Sequence, residues 1–256
     1  MKHKAVCLAA VLLIGAGCYC AYRYYRDNVL PEKQIDTAHD TQLELFSQIK
    51  PESSLPDGAK SPLEQAEKVN DGVVGWITVD GTHIDYPIAQ ADDNDFYLHH
   101  GFDGELNNEL GCPFLDYRCD GDFSGFNSIV YGHHMSKQRM FADIVLFKDP
   151  AFLRAHPTGT LTLPDGVETV RFFAYMNVPN TAPAYHAVFV SKAEQAEYLD
   201  YIFSEAQFTT GVTAEELKSA EDVRLLLLST CTYEFTDARG ILIGVIEHTQ
   251  QQGISQ

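Results

Sequence analysis

The chain has 256 residues, 45% of them apolar, which is enough for one large domain or two small ones around a real core. Eighteen basic against 36 acidic side chains give a net charge of −18, which argues against a nucleic-acid binder and disfavours attachment to an anionic membrane surface by charge alone. An acidic balance of this kind serves solubility and names no partner.

Ala5–Tyr22 carries no charged side chain and is framed by Lys2 and Lys4 on one side and Arg23 and Arg26 on the other. As a helix it is about 27 Å long, enough to cross a hydrocarbon core. Residues 1–26 are therefore expected to be an uncleaved signal-anchor rather than a cleaved signal peptide. The run Gly15-Ala16-Gly17-Cys18 lacks the branched residue of a lipoprotein cleavage site three positions before the cysteine. Lys and Arg are balanced across the two ends, so charge alone does not orient the span. Residues 27–61 are polar and contain Pro31, Pro51 and Pro56. They read as a stalk with one short helix at Thr41–Ile49, and residues 62–256 as the folded domain, opened by a docking helix at Pro62–Val69.

From Gly72 onward the period changes. Val73–Val79 and His83–Ala89 are rich in β-branched residues around Asp80-Gly81, a hairpin signal. The acidic stretch Asp92–Glu109 reads as a loop whose Phe96, Tyr97 and Leu98 insert into the core; its carboxylates do not follow the alternating pattern of a calcium loop. Cys112–Leu115 and Ser128–Tyr131 are short strands, and Met140–Phe147 and Pro150–Ala155 short helices. Thr160–Leu163 and Val167–Val178 form a second hairpin at Asp165-Gly166, and Tyr185–Val190 another strand. Ser191 and Glu194 make a capping box for a helix to Ala206, and Thr213 with Glu216 repeats the pattern for a shorter one. Val223–Leu228, a continuous apolar run too short for an ordinary buried helix, reads as a strand covered on both faces, followed after a polar turn by Gly240–Ile246. About eight strands with few helices predict a mainly β fold, a barrel or a sandwich.

Cys231 stands where the first of these last two strands leaves the interior and Arg239 where the second enters it. A thiol and a guanidinium facing each other at a sheet edge favour thiolate and can hold an oxyanion. Cys112 and Cys119 are left either to pair with each other or to remain reduced. A thiol nucleophile needs an imidazole partner. Of ten histidines, His133 is placed best, because it follows an apolar strand and a glycine where a side chain emerges into a cleft. The pairs His99-His100 and His133-His134 do not recur at metal-ligand spacing, so neither a metal nor any other cofactor is expected.

These residues match a known pattern. Leu228-Ser229-Thr230-Cys231 with Arg239, and Tyr131-Gly132-His133-His134-Met135, resemble the catalytic strands of sortases, the membrane-anchored cysteine transpeptidases of Gram-positive bacteria. Gly75-Trp76-Ile77, Asp85-Tyr86-Pro87-Ile88, Asp93–Leu98 and Phe114-Leu115-Asp116 are similar in order and spacing to the amino-terminal half of class B. Leu227 stands where the signature has Thr. The resemblance, from about Pro62 to Glu247, implies a closed eight-stranded β-barrel with an N-terminal helix and a long helix between strands six and seven. It implies a single-pass membrane protein with its catalytic domain outside the cell. It also implies that Cys231 attacks the Thr carbonyl of a sorting motif in a secreted protein, that His133 acts as acid and base, and that Arg239 binds the peptide or the oxyanion. Ser229, Thr230 and Thr232 are candidates for substrate or oxyanion contacts, the last through its N–H, and His134 has no role. The acceptor is an amine of a peptidoglycan precursor or a pilin Lys, and specificity is expected in the loops Ala91–Asn108 and Thr181–Thr210. Two other readings stay open: a cysteine peptidase that releases its product to water, and a catalytically silent, membrane-tethered peptide-binding module.

Overall fold

A computed structural model describes residues 14–51, 61–106 and 110–247. The expected anchor begins outside the described residues. Among the described residues no helix is long and apolar enough to cross a membrane.

Eleven strands are present among the described residues: β1 (Val73–Val79), β2 (Asp85–Ala89), β3 (Phe114–Leu115), β4 (Asn127–Tyr131), β5 (His134–Met135), β6 (Arg139–Met140), β7 (Thr158–Leu163), β8 (Gly166–Pro179), β9 (Phe208–Thr209), β10 (Leu225–Cys231) and β11 (Ala238–Glu247). Eight of them run in the order β11-β10-β4-β3-β2-β1-β7-β8, and pairing of β11 with β8 closes the sheet into a barrel. The fourteen-residue β8 serves β7 with its first half and the short β9 further on. β5 and β6 form a separate ribbon. Most pairs are antiparallel, but β10 runs parallel to β4, with Leu225 opposite Asn127 and Ser229 opposite Tyr131.

The helices are α1 (Leu30–Ile49), α2 (Glu64–Glu67), α3 (Phe96–His99), α4 (Pro150–Ala155), α5 (Lys192–Glu205) and α6 (Ala214–Ser219). α5 falls between the sixth and seventh barrel strands, β8 and β10. Ser191 caps it by accepting the Glu194 N–H, and Thr213 caps α6 in the same way. Leu225–Leu228 are fully buried, as a strand covered on both faces requires. The 3-10 segment Ala142–Lys148 lies against β8, β10 and β11, where a regular helix had been expected.

Three expectations change. The stretch read as a stalk is largely helical: α1 follows without a break from a π-helical turn at Tyr25–Val29, and Pro31, which has no N–H to donate, sits just past that turn. Its Gln42, Phe46 and Ile49 are buried at helical spacing, and Phe46 lies edge-on to Trp76, Tyr86 and Phe102. Tyr185–Val190 is not a strand: Pro183–Tyr185 is one 3-10 turn, and Val188 and Val190 are exposed because no neighbouring strand is there to cover them. Of the three residues expected to insert from the acidic loop only Tyr97 is buried; Leu98 is half-buried against the core and Phe96 stacks outside on His100. Cys112 and Cys119 are separate buried free thiols. Burial pushes both thiols up, Cys119 to about 11.

Candidate active site

The register of the last two strands decides what faces what. Cys231 is the cross-strand partner of Arg239. The Thr232 N–H donates to the Ala238 carbonyl at 2.9 Å, so by the alternation of an antiparallel ladder Cys231 and Arg239 form the non-hydrogen-bonded pair, the kind whose side chains lie closest. The Arg239 guanidinium donates to its neighbour's carbonyl, Ala238 O, at 3.1 Å. No carboxylate pairs with it among the described residues, which leaves its fork directed at whatever enters beside the thiol.

The third group arrives along β4. Tyr131 is opposite Ser229, the Gly132 N–H donates to Ser229 O at 3.0 Å, and the Thr230 hydroxyl donates to Gly132 O at 2.9 Å. His133 and Cys231 thus lie two residues past the last paired positions on adjacent strand ends, on the side-chain parity of Tyr131 and Ser229. Those two share a partner: the Tyr185 hydroxyl is 2.8 Å from Ser229 Oγ, and its ring stacks on Tyr131 at 6.0 Å. Gly132 is required where it stands, because a Cβ there would fall 2.5 Å from the Phe141 ring. His133 Nε2 is 2.9 Å from the Leu98 carbonyl. A carbonyl only accepts, so Nε2 holds the proton and Nδ1 is the nitrogen left to exchange one.

Behind this face lies a charged support. Asp116 is fully buried, accepts two bonds from the Arg118 guanidinium at 2.9 and 2.7 Å, and accepts the Tyr131 hydroxyl at 2.9 Å. Burial works against the carboxylate, but the bonds from Arg118 and Tyr131 outweigh it and hold its pKa below the ordinary value. Burial pushes Tyr185 up to about 12, so its hydroxyl stays protonated and able to donate. Arg118 also donates to Tyr185 O at 3.2 Å, which ties the loop to the same support.

Ser229, Thr230 and Thr232 are all buried, and their hydroxyls are committed to Tyr185, Gly132 and Asn177 respectively. The Thr232 N–H is spent on Ala238. These bonds fix the shape of the strand end around Cys231. His134 is also not idle. Its ring sits edge-on to Tyr233 at 5.4 Å and interacts with the Cys231 backbone. Burial lowers its pKa, which that interaction only partly offsets.

No family model matches the chain. Listeria monocytogenes sortase B is 34% identical over 184 residues, which cover 72% of each chain. The chain belongs to the class B sortases. The Clostridium perfringens sortase B structure superposes with a TM-score of 0.65 at 29% identity, covering 72% of this chain and 99% of that one. A Staphylococcus aureus sortase B–substrate complex, 22% identical, shares the fold with a TM-score of 0.66 over 90% of this chain and all of its own. Membership makes the protein a cysteine transpeptidase.

Within this sortase the sequence reading missed Tyr185, Asp116 with Arg118, and the contribution of α1. The available signals were the 42/46/49 spacing on α1, masked by the surrounding polarity, and the run Phe114-Leu115-Asp116, whose carboxylate has no visible partner in sequence. Beside Tyr185 a groove of about 550 Å³ runs between the 180–189 loop and α5, lined by Phe189, Tyr198, Tyr201, Glu194 and Glu197.

Proposed function

We propose that this sortase cleaves a sorting motif after Thr near the carboxyl end of a secreted protein and joins the new acyl end to an amine. The Cys231 thiol passes its proton to Nδ1 of His133 as its sulfur adds to the Thr carbonyl, and Arg239 donates to the oxygen as it gains charge. The C–N bond then breaks, and Nδ1 of His133 gives its proton to the departing amine, leaving a thioester. An incoming amine attacks the thioester, its proton passes to Nδ1, and the sulfur leaves. No net redox change occurs. The acceptor is a peptidoglycan precursor amine or a pilin Lys, and the groove beside Tyr185 supports a specificity role for the Thr181–Thr210 region. The uncharged run Ala5–Tyr22 supports a single-pass anchor with residues 62–256 working outside the cell.

The carrying observation is the facing pair of Cys231 and Arg239, with His133 at the neighbouring strand end. The test incubates the chain with sorting-motif peptides and an amine, and reads adducts and products by mass spectrometry. A thioester on Cys231 and an amine-linked product, both absent in Cys231→Ala and the second absent in His133→Ala, are expected. Release to water alone, unchanged by added amine, makes the protein a peptidase. An unmodified Cys231 that resists a thiol probe removes the enzyme reading.

A further inference from the structure

α1 reaches the histidine. Gln42, 6% exposed, donates from Nε2 to the Gly111 carbonyl at 3.1 Å, across 69 residues of sequence. Gly111 has a φ of +68°, and a Cβ on it would sit 2.9 Å from Cδ2 of His133 and 2.7 Å from Tyr97 O. The glycine therefore touches the edge of the imidazole, on a backbone that side chains rarely adopt. The next residue closes the bracket, because the Cys112 N–H donates to Tyr97 O at 3.0 Å. α3 supplies the Leu98 carbonyl that holds the proton on Nε2. The ring is thus wedged between Leu98 O and Gly111, and the Gly111 side of the wedge is fastened by Gln42.

The same helix fastens the chain that leaves the histidine. Asp36 of α1 holds Lys137 and Arg139. Lys137, Gln138 and Met140 all have positive φ, so the turn between β5 and β6 is strained and needs such a hold. Phe46, one turn beyond Gln42, anchors the helix itself in the core.

We propose that Gln42, acting through Gly111, is a positioning residue that sets the orientation and tautomer of His133, so that the helix ahead of the barrel tunes the acid–base step. This rests on the transpeptidase role given to His133 above. Gln42 does not touch the reacting atoms. It fixes where Nδ1 points, and a misplacement of that nitrogen by about 1 Å is worth up to about a hundredfold in rate.

The test uses the full chain carrying Gln42→Leu, with Phe46→Ala as a control that loosens α1 without touching Gly111. Gly111→Ala adds strain and a clash, so Gln42→Leu is the primary variant. Two readouts are taken, kcat and KM for peptide-to-amine transfer, and the ring 15N shifts of His133. Gln42→Leu is expected to lower kcat about tenfold with KM unchanged within about twofold, and to move the His133 ring from a fixed Nε2–H form toward a mixture of tautomers. Unchanged ring shifts overturn the proposal, as does a kcat loss that merely matches that of Phe46→Ala at equal loss of stability. A shifted ring in a chain whose wild type transfers nothing supports the positioning and sinks the transfer reading instead.

Discussion

Arg239 works as a fork because it is planar and permanently charged, and its position opposite Cys231 is set by the ladder rather than by any ion pair. Arg239→Lys keeps the charge and loses the fork. Its transfer rate is expected to fall by about a hundredfold, the loss that follows removal of one oxyanion donor, with thiol alkylation at Cys231 much less affected. Steady-state kinetics beside iodoacetamide labelling checks this, and comparable losses in both assays would mean that the arginine activates the sulfur instead. Gly132 belongs to the same scale. Gly132→Ala drives a methyl into the Phe141 ring, and overpacking of this kind costs about 1–3 kcal/mol. Urea unfolding is expected to show that loss together with reduced turnover, because the displaced residue is the one that aims His133.

At the scale of elements, the positions of β10 and β11 were legible in sequence because burial on both faces leaves an unbroken apolar run, and the turn between them is mostly polar. The thiol and guanidinium followed from the ends of those runs. Other features were hidden for physical reasons. α1 looked like a stalk because only Gln42, Phe46 and Ile49 of its 20 residues are buried, and the half-buried Ile35, Ala38 and Leu45 that pack beside them are scattered among polar residues. Tyr185–Val190 looked like a strand because it is rich in Val and aromatic residues, but a strand needs a partner, and sequence does not say whether an edge is available. That the Thr232 N–H donates to Ala238 was hidden too, because only the register one residue past Cys231 shows where that donor goes. Phe46→Ala is expected to cost about 3–5 kcal/mol in chemical denaturation. A loss below about 1 kcal/mol would mean that α1 is only loosely docked.

Across the whole molecule, charge and burial set the response to acid. Burial lowers the pKa of His39, helped by Arg139, and also that of His134. An imidazole whose pKa is depressed in the folded state takes up its proton more readily when unfolded, so its contribution is complete above the ordinary value of about 6.5 and is lost as pH falls through it. Asp116, held low against burial by Arg118 and Tyr131, adds a second loss below the ordinary carboxylate range of about 4. Denaturation midpoints are expected to be flat from about pH 7 to 8 and to decline in two stages below. His134→Asn together with His39→Gln removes the first stage; its persistence would assign that stage to other groups.

The pairing of β11 with β8 also closes the barrel around the strand end that holds Arg239. β10 must find β4, nearly a hundred positions earlier in the chain, and β11 must find β8 before the sheet has no open edge. Pairings between such distant segments form late and slowly. A chain still being made, or one that stops before Ala238, already contains both the sulfur and the imidazole. It lacks the guanidinium, and it presents two bare strand edges to any neighbour. Completion of the last strand therefore sets Arg239 opposite Cys231 and covers both bare edges in a single event.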